Sequence, residues 1–141
     1  MEREKTKPAI VVLAFNRRNS IERLLGSLLK ADLSGCPKVY FSIDGGASPD
    51  VAQVVYRMAR KFDNAEVIER RQNLGLRDHV IACGDLSKRY GSIIVLEDDL
   101  FVDRYFYKYA SGAREFYEQD EQCCGVALYS PIHNEIADLP F

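Results

Sequence analysis

The chain has 141 residues, 47% of them hydrophobic and 28% charged, with 9 Gly and 5 Pro; this excludes a disordered or fibrous chain and lets about two-thirds of the surface be buried around one core. Lys plus Arg number 19 and Asp plus Glu 21, a formal charge of −2 without long like-charge blocks, which argues against general affinity for nucleic acid or an anionic membrane. No apolar run approaches the roughly 18 residues that span a bilayer, and Met1-Glu2-Arg3-Glu4-Lys5 lacks a leader's apolar core, so a cytoplasmic domain is expected.

The first predicted element is Ala9-Ile-Val-Val-Leu-Ala-Phe15, a continuous apolar run with β-branched residues, as in a strand covered on both faces. Asn19 follows as a helix N-cap with Glu22 three residues on, and Ile21, Leu24, Leu25, Leu28 and Leu29 recur at helical spacing. The second strand is Val39-Tyr-Phe-Ser-Ile43, followed by the turn Asp44-Gly45-Gly46. Ser48 then caps a helix with Pro49 at its first position and Val51, Val54, Val55, Met58, Ala59 and Phe62 on one face. A more polar strand over 66–71 reads as an edge or near-edge element.

A third helix is predicted over about 77–90, with Gly91 as its stop. Ser92-Ile-Ile-Val-Leu96, the most apolar strand, is expected at the centre of the sheet. Asp103 can cap a fourth helix that turns Phe106, Tyr109, Ala110, Ala113 and Phe116 toward the sheet, and Gly125-Val-Ala-Leu-Tyr129 reads as a fifth strand. Strands alternating with helices imply an α/β fold of three layers, α/β/α, with a mostly parallel central sheet. Cys36, Cys83, Cys123 and Cys124 contain no C-x-x-C pair, and four reduced thiols are expected.

In sheets of this kind ligands sit beyond the carboxyl ends of the strands. There the sequence places Asn16-Arg17-Arg18, Asp44-Gly45-Gly46, Asn73-Leu74-Gly75 and Glu97-Asp98-Asp99. Three consecutive carboxylates after an apolar strand repel one another unless a cation or a set of donors compensates. A hard divalent ion completed by phosphate oxygens supplies that charge; a helix N-terminus downstream is the plainer explanation. Arg17 and Arg18 are equally read as a solvated helix start, Asp44 as a turn-former, and His79 as a polar residue packed in its helix. The phosphate loop G-x-x-x-x-G-K-[ST] and the dinucleotide fingerprint G-x-G-x-x-G are both absent. Ser42 stands where haloacid-dehalogenase phosphatases carry their nucleophilic aspartate.

The ordered motifs P-A-I-V-V-L-A-F-N-R, S-I-D-G-G, N-L-G-L-R-D-H and I-V-L-E-D-D-L-F-V resemble the nucleotide-sugar-binding half of a GT-A glycosyltransferase with a Rossmann-like fold. The similarity is closest to the N-acetylglucosaminyltransferase I type, where E-D-D replaces the general D-x-D. The resemblance implies that Asp99 binds Mn2+ or Mg2+ bridging a diphosphate, that Asp98 faces the ribose or nucleotide, and that Glu97 lies near the donor sugar. It further implies that Asp44 accepts a hydrogen bond from the imide of a uracil-like base, and that Arg17 and His79 contact the base or phosphate.

The reaction so implied is metal-dependent transfer of a hexose from a nucleoside diphosphate sugar, UDP-linked, to an acceptor hydroxyl with inversion. The acceptor is unidentified, and no catalytic base is assigned. In the resembling family the base comes from the acceptor-binding half, so the 141 residues are expected to form one donor-binding domain, a fragment that binds donor with little turnover. Glu135 and Asp138 are the carboxylates beyond the fifth strand, and neither they nor His133 fall in a motif. A non-catalytic nucleotide-sugar-binding module is the alternative. A sugar-nucleotidyltransferase, with the same layering, would carry a glycine- and arginine-rich triphosphate loop where this chain has Ala14-Phe15-Asn16-Arg17.

Overall fold

A computed structural model describes residues 7–129. Its elements run β1 (Ala9–Ala14), α1 (Arg18–Leu28), β2 (Val39–Ile43), α2 (Pro49–Ala59), β3 (Ala65–Glu69), α3 (Gly75–Gly84), α4 (Ser87–Tyr90), β4 (Ile93–Leu96) and α5 (Phe106–Phe116). The four strands form one sheet in the order β3-β2-β1-β4, and every pairing is parallel. Parallel neighbours need crossover helices, which here lie on both faces. The layering is therefore the expected α/β/α.

The two faces are unequal. On one, Ile10, Val12, Phe41 and Ile43 of the sheet bury against Ile21, Leu24, Leu25 and Leu28 of α1, Val51, Val54, Val55 and Met58 of α2, and Tyr107 and Ala110 of α5. The apolar spacings of α1 and α2 thus define their inner faces as the sequence predicts. On the other face Ala9, Val11, Leu13, Tyr40 and Cys83 form a smaller cluster closed by Val80, Leu86 and Tyr90. All four cysteines are unpaired, as expected. No helix among the described residues is long and apolar enough to cross a membrane.

Several predicted details shift. The first helix starts at Arg18 with Arg17 in the cap position, because the amide of Ile21 reaches the carbonyl of Arg17 at 2.9 Å. Asn19 therefore lies inside the first turn, and Glu22 pairs with Arg57 rather than closing a capping box. Ser48 and Pro49 open α2 as predicted, without a side-chain cap bond. The third predicted helix is two, α3 and α4, and Gly91 ends the second in the left-handed conformation at φ 72. β4 lies at an edge of the described sheet instead of its centre, which β1 and β2 occupy; helices covering a strand explain apolar residues as well as flanking strands do.

α5 is rotated from its expected orientation: Tyr107 and Ala110 are buried, whereas Tyr109 and Phe116 are exposed. Its rotation follows a polar contact, since the Tyr107 hydroxyl donates to the Pro8 carbonyl at 2.8 Å within the core. Asp103 accepts from the Tyr105 amide at 2.7 Å one turn before the helix, which begins at Phe106. Residues 125–129 form no strand and are largely exposed, because no neighbouring edge among the described residues pairs with them. His133, Glu135 and Asp138 lie outside the described residues.

Tyr107→Phe leaves the buried Pro8 carbonyl with only the weak Cys36 thiol at 4.0 Å as a side-chain donor and is expected to cost about 1–2 kcal/mol. Denaturant unfolding of the two proteins measures the difference; equal midpoints would show that this bond does not fix α5.

Candidate functional site

The carboxyl ends of the four strands are joined pairwise, in the order in which they lie in the sheet. Between β3 and β2 the link is Asp44, the first residue after β2. One of its oxygens, Oδ1, accepts from the amides of Gly45 and Leu74, both at 2.9 Å, and Oδ2 accepts from the amide of Gly75 at 3.1 Å. The side chain is 4% exposed, and three amide donors offset the cost of burying its charge. A carboxylate has about four acceptor positions, so Oδ2 retains one.

Gly45 is required by the same junction, because a Cβ there would collide with the Gln72 carbonyl and the Asn73 amide nitrogen. Between β2 and β1, Asn16 Oδ1 accepts from the Ser48 amide at 3.0 Å. Between β1 and β4 the link is ionic. Arg17 Nη1 stands 3.2 Å from Asp99 Oδ2 and 3.9 Å from Asp98 Oδ1, while Arg23 Nη2 donates to the Asp99 carbonyl at 2.8 Å. A turn over 97–100, closed by the Leu100 amide on the Glu97 carbonyl at 3.2 Å, presents the acidic run at the rim.

Arg17, Asp98 and Asp99 are therefore brought together and Asp44 is on the same rim, while Glu97 is exposed at the end of β4. Partial burial raises the Asp98 pKa above the ordinary carboxylate value, Arg17 pulls it back, and the charges of Asp99 and Glu97 push it up again. The crowding expected from the sequence is thus present, and its counter-charge here is a guanidinium. Among the described residues no group of three or more His, Cys, Asp or Glu converges on a metal position. Asp98 and Asp99 still make a hard oxygen pair of the kind that holds Mg2+ when phosphate oxygens and water complete the shell.

His79 occupies a different layer. It is 3% exposed, and its Nε2 lies 2.8 Å from Ser42 Oγ, itself fully buried. Arg70 Nε donates to the same Ser42 oxygen at 3.3 Å. Sequence reasoning missed Ser42, Arg70, Arg23 and the stitching role of Asn16. A polar residue at the Ser42 position, on the face that Tyr40 also buries, was the available signal.

No protein-family model matches the chain, and no curated protein matches it. Solved structures match it in fold. The S. aureus TarS 1–349 structure in complex with UDP has a TM-score of 0.62 and 20% identity, covering 79% of this chain and 33% of its own. The same TarS segment in complex with UDP-GlcNAc has a TM-score of 0.60 and 20% identity over 79% of this chain and 32% of its own. Mannosyltransferase PcManGT from Pyrobaculum calidifontis, in complex with GDP-Man and Mn2+, has a TM-score of 0.57 and 16% identity over 74% of this chain and 31% of its own. The chain spans about a third of the length of these structures. Its fold is the GT-A α/β fold of nucleotide-sugar glycosyltransferases.

Gly45→Ala should destabilise the protein by about 1–3 kcal/mol through the clash with backbone, read as a lowered denaturant midpoint; an unchanged midpoint would mean the loop over 72–73 yields freely. Burial holds the His79 pKa below its ordinary 6.5, with Asp44 opposing that shift and Arg70 adding to it. Below pH 6.5 the unfolded chain takes up a proton that the folded chain resists, so this contribution to stability is lost as pH falls from there toward the lower folded value. His79→Gln should flatten the fall in unfolding free energy between about pH 7 and about pH 5.

Proposed function

We propose that the chain is the donor-binding part of a glycosyltransferase that moves a hexose from a UDP-linked sugar to an acceptor hydroxyl with inversion. The observation that carries this reading is the joined rim, where a buried carboxylate after β2 and an acidic pair after β4 engaged by a guanidinium lie along the carboxyl ends of a parallel GT-A sheet. Solved structures of similar fold hold UDP, UDP-GlcNAc, or GDP-Man with Mn2+, which supports a nucleotide-sugar ligand here. The E-D-D run supports the finer kinship with the N-acetylglucosaminyltransferase I type.

In this reading the last acceptor position of Asp44 takes the imide N–H of a uracil-like base, a carboxylate reading a donor. Its three backbone amides fix the direction of that acceptor. His79 acts from below, holding Ser42 and the start of α3 behind Asp44 instead of touching the nucleotide. Arg17 reaches diphosphate oxygens from the end of β1, and Glu97 lies toward the donor sugar. Asp98 and Asp99 would hold Mn2+ or Mg2+, which when bound offsets the charge growing on the leaving diphosphate. A general base for the acceptor hydroxyl is not among the residues assigned here. The four free thiols fit the expected cytoplasmic location.

Calorimetric titration of the chain with UDP and with UDP-GlcNAc in the presence of Mn2+ tests the reading. Binding is expected, and Asp99→Ala should weaken it by about tenfold through loss of one charged ligand. No heat with UDP, UDP-GlcNAc or GDP-Man would overturn the donor-binding assignment. Donor binding by a longer chain that transfers sugar to no acceptor would instead identify a binding module.

A further inference from the structure

Arg17 touches both carboxylates that the proposed function gives to a divalent cation, and it does so from solvent. Its side chain is 63% exposed and spans from the cap position of α1 to the turn after β4. The turn has a separate anchor, because Arg23 grips the Asp99 carbonyl whatever Arg17 does. The backbone anchor of the turn and the counter-charge of its carboxylates are thus different residues, Arg23 and Arg17. Asp44, by contrast, is satisfied by amides that cannot leave.

A guanidinium and a divalent ion bearing on Asp98 Oδ1 and Asp99 Oδ2 would repel each other at close range. One must withdraw for the other to enter. Exposed ion pairs are weak and their side chains lose entropy when pinned, so withdrawal of Arg17 costs little. Phosphate oxygens offer its planar fork an alternative partner of matching geometry.

We propose that Arg17 is an internal counter-cation of the Asp98–Asp99 pair, competing with the divalent metal and giving way to it. The proposal rests on the metal role assigned above but not on the identity of the donor. With the donor present, the diphosphate draws Arg17 onto itself and frees the pair, so donor and metal each raise affinity for the other.

Titration of the 141-residue chain with Mn2+ alone, followed by the loss of the free-ion paramagnetic resonance signal and by calorimetry, reads the competition without nucleotide. Arg17→Met should bind Mn2+ about fivefold more tightly than the natural chain, the scale of one exposed ion pair removed from competition. Arg17→Lys keeps the charge and should remain near the natural affinity. Arg18→Met removes the same charge from the neighbouring residue and should change affinity much less. Circular dichroism of each variant confirms that it folds. Equal or weaker Mn2+ binding by Arg17→Met, an equal gain in Arg18→Met, or no Mn2+ binding by any of these proteins would overturn the proposal. Tighter Mn2+ binding by Arg17→Met in a chain that binds no nucleotide sustains the competition while removing the donor assignment. UDP binding with Mn2+ that is indifferent to Arg17 does the reverse.

Discussion

Parallel strands that end on one side of a sheet bring four sets of loop amides and side chains to a common edge, where each must find a partner. In this protein the partner comes from the adjacent strand end: Asp44 binds the loop after β3, Asn16 the loop after β2, and Arg17 and Arg23 the turn after β4. Every link spans one inter-strand gap, so the loops form a connected set in sheet order. The shape of the rim depends on this chain of local bonds more than on any enclosed cavity. The hollow lined by Leu28, Leu33, Cys36, Val39 and Phe62 lies at the opposite end of the sheet.

Two kinds of carboxylate share that rim, and their surroundings separate their uses. The burial of Asp44 is offset by three backbone amides fixed in the fold, which direct its remaining acceptor position. Asp98 and Asp99 have as their cross-strand partner a charged side chain, Arg17, that is largely exposed. A rim meant only for stability would gain little from such an exposed pair, whereas one that must admit a dication needs a counter-charge that can leave.

The strand and helix alternation, the parallel sheet, the inner faces of α1 and α2 and the Gly91 stop were legible in the sequence because each is a local pattern of period two, period 3.6 or a turn residue. So was the gathering of Arg17, Asp44, Asp98 and Asp99 at the carboxyl ends, which follows from strand order. What the sequence did not disclose is set by distant partners. α5 takes its rotation from a tyrosine hydroxyl reaching Pro8, 99 residues away, and apolar spacing alone placed Ala110 and Phe106 on the core but misassigned Tyr109 and Phe116. A capping motif at Asn19 lost to the geometry of the preceding strand, which enters the helix at Arg18. The short apolar run at 125–129 matched a strand but pairs with neither edge strand, β3 or β4.

The buried Ser42–His79 pair shows how such distant contacts bear on the site. Replacing two hydrogen-bonded polar partners by apolar ones of similar shape is often nearly neutral, so stability alone does not explain a serine and a histidine in the thinner half of the core. Their place does. Ser42 is two residues before Asp44, near the end of β2, and His79 is one turn into the helix that starts at Gly75, whose amide Asp44 binds. A directional bond between strand and helix at that point fixes the rotation of α3, and with it the loop over 73–75. Apolar packing has no such directionality, and a slip of α3 would unseat the very amides that hold the Asp44 charge.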